Sequence, residues 1–328
     1  MSKQKMSAGK KKNNAGNSVS VVRQAKHGGI LTILFAILSF FWVSPILVVL
    51  LNSFKRKAYI FKNPFGLSNV PLSSGFEKWA HGLSKTFVGG LNYANALKKT
   101  NFVRCFGHSF FITLISVVLI VVCCSMCAWY ITRVQTAGTK LIYLLCMFSM
   151  IVPFQMVMFT LSKLANILHL ATPMGICIVY LGFGAGLAVF MFTGFVKSIP
   201  LEIEEAAMID GCTPPQTFFR VIIPIMKPTL ITIAILDAMW IWNDYLLPSL
   251  VLNVNKYKTI PIAVQYLKQS HGQIDWGAMM AVLVLAIVPI VIFYIAAQKY
   301  IIEGVMAGAV KGCRRSMTSA STTGFGSG

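Results

Sequence analysis

The stretch SIPLEIEEAAMIDGCTPPQTFFRVIIP occupies residues 198–224. Its punctuation is local and dense. Pro200 fits the first position of a helix, where its missing N–H costs nothing. Glu202, Glu204 and Glu205 follow in the first turns, where the helix dipole favours negative charge. Ala206 and Ala207 are strong helix formers, and Gly211 suits a left-handed helix stop. Thr213, Pro214 and Gln216 then read as a second start: N-cap, first helical position and capping-box partner. Pro224 reads as the end of that second helix. The spacing predicts a short helix, a tight turn and another short helix.

With Asp210, four acids fall within nine residues, in a chain that has nine acids against 29 Lys and Arg. Amphipathic helices that lie on lipid carry Lys and Arg on their polar face, and an acidic one is repelled by an anionic inner leaflet. An acidic helix built from small residues instead suits docking to another protein, whose surface it approaches closely and whose cations it pairs with.

Outside this loop the chain is apolar. Of 328 residues, 56% are hydrophobic and 12% charged, with mean hydropathy +0.71. A soluble domain carries about a quarter charged residues, so a soluble globular enzyme is excluded. The net charge of +20 does not point to nucleic acid, because the cations sit between long apolar runs, as in loops flanking membrane spans. Spans of about 20 apolar residues are expected near 29–52, 106–131, 141–162, 172–196, 229–252 and 276–298. The fold class is thus an all-α membrane protein with six transmembrane helices. Residues 1–27 read as a basic, disordered cytoplasmic tail and not as the n-region of a signal peptide: the run Gly28–Phe54 is too long for an h-region and has no small-x-small cleavage site. Residues 28–312 form the membrane domain, and 313–328 a disordered tail rich in Ser, Thr and Gly. Six spans put both termini on one side, taken as cytoplasmic, although inner loops hold only a small excess of cations.

Cys123, Cys124 and Cys127 resemble a metal spacing, but no histidine in that run completes a zinc ligand set; they read as small buried hydrophobes, and no metal site or catalytic set is expected. Gly182, Gly184 and Gly186 suit close helix packing rather than a nucleotide loop, since no strand precedes them. His108 and His169 lie near the ends of apolar runs. Trp42, Trp129 and Tyr130 read as interface anchors or lipid-facing side chains.

Glu205-Ala206-Ala207, three residues, Gly211, nine residues and Val221-Ile222-Ile223-Pro224 resemble the EAA signature of permease subunits in binding-protein-dependent ABC importers. Val221 and Ile223 replace the signature's Ile and Leu with residues of similar size. The likeness extends over roughly residues 30–312 and is nearest to the carbohydrate-uptake branch, in particular its smaller maltose-type permeases. Trp242-Asn243-Asp244 and the ending Gly304 with Gly308-Ala309-Val310-Lys311-Gly312 look like that branch. The resemblance implies a type I importer permease fold in a bacterial plasma membrane, with 198–224 as the coupling-helix loop. It implies ATPase contact through Glu204, Glu205, Ala206, Ala207, Asp210 and Gly211, and C-terminal docking through Gly308, Lys311 and Gly312. It also implies a second homologous permease, two cytoplasmic ATPase subunits, an extracytoplasmic solute-binding protein and a sugar substrate, an oligosaccharide. The chain has no Walker sequence, so ATP and Mg belong on the partner ATPase and no cofactor is expected here.

In the fifth span, Asp237, Trp240 and Asp244 follow i, i+3, i+7 and are expected on one face. An Asp at mid-span costs about 2.5–3.5 kcal/mol on insertion scales, so it should face protein or a wet cavity. Asp237, Trp240, Asn243 and Asp244 are therefore expected along the substrate path, with helix–helix hydrogen bonding as the plainer role. The alternative function is a proton-coupled secondary transporter using Asp237 and Asp244 as a relay, which leaves the acidic loop unexplained.

Overall fold

A computed structural model describes residues 28–269 and 274–322. Among the described residues the chain is helical, with no strand beyond one bridge between Lys55 and Phe87. It divides into two units, 1–47 and 48–328. The first contains most of α1 (Gly28–Ser53), whose most apolar 18-residue window has no buried residue.

The second unit begins, after the end of α1, with three short helices: α2 (Lys57–Lys62), α3 (Phe76–Thr86) and α4 (Leu91–Thr100). Lys55 is fully buried here. Its ammonium donates to the carbonyls of Asn63 (2.9 Å) and Pro64 (3.1 Å), and burial lowers its pKa. Asn92 ties the same turn by donating to the carbonyls of Ser53 and Lys55.

The core is built on α5 (Phe102–Arg133), and the helices that follow it are α6 (Ala137–Ile151), α7 (Phe154–Ile167) and α8 (Pro173–Val196). Buried Ile112, Ser116, Ile120, Cys124 and Ala128 repeat every four residues along α5 and form the stripe that meets α8. α8 is uncharged and buried on most sides, including Ile176, Tyr180, Val189 and Phe192. It starts from an N-cap at Thr172 with Pro173 in the first position.

The glycines of α8 are not equivalent. A Cβ at Gly186 would stand 2.8 Å from the Cys146 carbonyl oxygen and 2.9 Å from Met150 Cβ, so α6 would have to move. At Gly182 nothing lies within 4 Å. Gly186→Ala is expected to cost about 1–3 kcal/mol, whereas Gly182→Ala is neutral or gains up to about 1 kcal/mol of helix propensity. Thermal unfolding of the two variants in detergent checks this, and equal midpoints would contradict the packing.

The single continuous helix expected over 141–162 is instead two helices. α6 and α7 meet at a bend of 109° around Val152 and Pro153. The residue before a proline is driven out of the helical region, and Val152 is extended (φ −72°, ψ 119°). Among the described residues, five helices are long and apolar enough to cross a membrane, or six if the bent pair counts as one span.

After α8 come α9 (Leu201–Ile209), α10 (Pro214–Thr217), α11 (Ile223–Asn243), α12 (Leu246–Val251), α13 (Ile260–Gln269) and α14 (Trp276–Thr322). Two expectations are corrected here. Pro224 does not end the second loop helix: a π-turn over Phe218–Ile222 carries α10 into α11. The wider turn spares the clash that a proline makes with the preceding turn of a regular helix, and buried Phe218 and Ile222 hold it in the core. The fifth span stops at Asn243 rather than near 252, because Asp244 is extended (ψ 125°). α14 runs to Thr322, into the stretch expected as a disordered tail; the expected N-terminal tail, 1–27, lies outside the described residues.

Candidate coupling loop and membrane-embedded site

The acidic loop folds as a helix, a turn and a helix. Pro200 caps α9 from just outside it, and Leu201 is the first helical residue. Gly211 (φ +84°) makes the left-handed turn, a conformation that costs other L-residues about 1–2 kcal/mol. The Thr213 N–H donates to Gln216 Oε1 at 2.8 Å, closing the capping box.

α9 has two chemical faces. Glu205, Ala206, Asp210 and Gly211 are exposed. Around them stand exposed apolar side chains: Leu201, Met208 and, at 85% exposure, Ile209. Ala207 points inward and lets the helix sit close to the bundle. Glu204 departs from the expected docking set, because it is 1% exposed. Its Oε1 accepts from Arg133 Nε (2.8 Å) and Nη2 (2.6 Å), and its Oε2 from Trp129 Nε1 (3.1 Å). Arg133 Nη2 also donates to the Ile199 carbonyl at 3.1 Å. The Trp129 ring packs against Phe218, with centroids 5.4 Å apart. Trp129 is thus half-buried at a helix junction rather than an interface anchor.

The pairing of Arg133 and Trp129 with Glu204 was missed in the sequence. They lie four apart, which puts them on one face at the end of α5, and Glu204 and Ala207 lie three apart on α9. That spacing was the available signal.

The four residues expected along a path separate into three groups. Asp237 is 3% exposed, between buried Ile233 and Ile241, and its Oδ2 has no hydrogen-bond partner among the described residues. Trp240 (43% exposed) and Asn243 lie with Leu236 and Met239 on the open face of α11. Asp244 lies beyond the helix end, so it does not share a helical face with Asp237. Its Oδ2 accepts from the Tyr180 hydroxyl (3.0 Å) and its Oδ1 from the Leu246 N–H (2.9 Å). The whole Trp-Asn-Asp run builds this break: Trp242 packs edge-on to Phe106, and Asn243 donates back to the Met239 carbonyl.

Residues 120–306 match the family model described as "Binding-protein-dependent transport system inner membrane component". The chain belongs to this family. It is 38% identical over 282 residues to the probable starch degradation products transport system permease protein AmyC of Thermoanaerobacterium thermosulfurigenes, covering 86% of this chain and 96% of the relative. It is 31% identical over 283 residues to the arabinooligosaccharides transport system permease protein AraQ of Halalkalibacterium halodurans, covering 86% and 96%. Its fold resembles a chain from the crystal structure of a bacterial ABC transporter involved in import of the acidic polysaccharide alginate (TM-score 0.64, 23% identity, 83% and 95% covered).

This family member has a second polar feature at the other end of α5. The helix has 32 residues and so is roughly 48 Å long, longer than the ~30 Å hydrocarbon core. Arg133 marks the coupling-loop end. Beside the opposite end is a cavity of about 480 Å³, lined by Lys99, Arg104, His108, Lys256, Lys258, Tyr266 and Asp275 among others. Lys99 pairs with Asp275, and Lys258 Nζ sits 4.1 Å from the Tyr266 ring centroid. Burial pushes the Asp275 carboxyl up, but the Lys99 hydrogen bond, the Ala278 N–H and the charges of Lys99 and Lys57 outweigh it and hold the pKa below its ordinary value. Arg104 and Lys256 are exposed, with no ion-pair partner among the described residues. At the other extreme of the chain, Gly308, Lys311 and Gly312 lie on α14; side chains beyond Tyr300 are outside the described residues.

Proposed function

We propose that this chain is one of two permease halves of an ATP-driven sugar importer in a bacterial plasma membrane. The single observation that carries this reading is the exposed Glu205-Ala206 face of α9, held against the bundle by buried Glu204 and turned at Gly211. The relatives' names favour an oligosaccharide as cargo. The bent α6–α7 pair counts as one span, giving six, with both termini and the loop on the cytoplasmic side. ATP hydrolysis takes place on separate subunits that receive α9, and Gly308–Gly312 lies near the same partners. The path runs beside the open face of α11, with Trp240 as a flat wall for a sugar ring and Asn243 as its polar neighbour. Asp237 and Asp244 are structural in this reading.

The test is affinity purification of the chain from its native membrane in mild detergent, followed by mass spectrometry. A second permease and a Walker-containing ATPase are expected. Recovery of the chain alone, with uptake driven by a pH gradient, would favour the proton-coupled transporter.

The cationic cavity faces outward in this orientation and suits an acidic patch on the extracytoplasmic binding protein. Arg104→Glu combined with Lys256→Glu is expected to raise the binding-protein concentration needed for half-maximal transport about tenfold or more. The effect should shrink at high salt. An unchanged dependence on binding protein would remove the cavity from that interface.

A further inference from the structure

Given the reading of the loop as the ATPase contact, we propose that Arg133 and Trp129 are positioning residues that clamp it to the inner end of α5. The ATPase stroke then enters the bundle through α5.

Three connections converge on one turn of α5. Arg133 holds the link between α8 and α9 through the Ile199 carbonyl at 3.1 Å. The same guanidinium holds α9 through Glu204 Oε1, with two donors at 2.8 and 2.6 Å. Trp129 completes Glu204 through Oε2 and presses its ring on Phe218, at the start of the π-turn that leads into α11. Link, first helix and second helix therefore share one anchor.

The covalent path alone would transmit poorly. α9 is joined to α8 by a short link ending at Pro200 and to α10 through the turn at Gly211. A force on the exposed face of α9 would bend those joints. The clamp removes that freedom, and the fixed fork of an arginine sets an angle that a lysine ammonium does not. A buried ion pair adds little net stability over an apolar contact, and its best-attested role is to specify one arrangement. From α5 the displacement passes to α8 across their tight contact: a Cβ at Gly184 would stand 2.6 Å from Ile120 Cδ1.

The experiment uses the complete complex in nanodiscs, with Arg133→Lys and Trp129→Phe. Three quantities are read: ATPase recovered per permease, ATP hydrolysed, and sugar transported per ATP. Arg133→Lys is expected to retain the ATPase and its hydrolysis while transport per ATP falls about tenfold, the scale of one lost charge-assisted hydrogen bond. Trp129→Phe keeps its ring on Phe218 and falls several-fold less. Adding Glu204→Gln to Arg133→Lys lowers the ratio little further, since both break the same contact. A ratio within twofold of wild type in Arg133→Lys overturns the clamp. If that variant assembles poorly, amide hydrogen exchange over residues 199–217 decides: exchange about tenfold faster supports the clamp, and unchanged exchange overturns it. If the unaltered chain brings no ATPase with it, the transport reading fails. The clamp is then judged on exchange in the purified chain alone.

Discussion

Glu205→Lys is expected to abolish sugar uptake while leaving the chain folded in the membrane. Glu205 is exposed on α9, so replacing it removes no core contact, and lysine matches glutamate in helix propensity. What changes is the charge presented to the ATPase. The resemblance to importer permeases places a basic residue opposite this carboxylate, and reversal sets two cations face to face. Like-charge contacts across an interface cost several kcal/mol, which is about a hundredfold or more in docking. Uptake of labelled sugar in cells, with the amount of ATPase recovered on the purified chain, is the measurement. Normal uptake would show that the acidic face of α9 is not the coupling surface.

Charge is only part of that surface. Leu201 and Ile209 project from the same short helix at 50% and 85% exposure. Apolar side chains left open beside acids suit a cleft that buries the former and pairs the latter. Gly211 then has a mechanical role, because its positive φ turns the chain directly after α9, two residues before the Thr213 cap of α10.

The local part of this arrangement was legible in the sequence. The Gly211 stop and the Thr213–Gln216 box depend on neighbours within a few residues, so propensity reaches them. The continuation through Pro224 was not legible. It depends on burying Phe218 and Ile222 against distant helices, which offsets the poorer geometry of a π-turn. The bend at Val152 was hidden for a different reason: counting apolar residues ignores backbone, although Pro153 was in plain view. Glu204 was grouped with Glu205 because adjacent acids look alike in a row of letters. On a helix they point about 100° apart, and here one meets Arg133 and the other meets solvent.

The break after Asn243 leads to the second large effect, that of Asp244→Ala. Asp244 joins α8 to the start of α12 through its two carboxylate oxygens. Its Oδ2 is the partner of the Tyr180 hydroxyl, on a side chain with 0% exposure in the middle of α8. Its Oδ1 receives the Leu246 N–H and starts α12, whose Leu247 and Val251 are buried in the main core. Alanine leaves a buried hydroxyl without its partner and a helix start without its cap, at about 1–3 kcal/mol for the first and about 1 for the second. A total near 3 kcal/mol is expected, read as a lower unfolding midpoint of the purified complex. Asp244→Asn keeps the cap and offers the tyrosine an amide, so it should cost about 1 kcal/mol or less. Tyr180→Phe added to Asp244→Ala should recover part of the loss, since it removes the orphaned hydroxyl. A proton relay makes the opposite demand. Asparagine would then stop transport outright, with stability unchanged, and phenylalanine at 180 would rescue nothing.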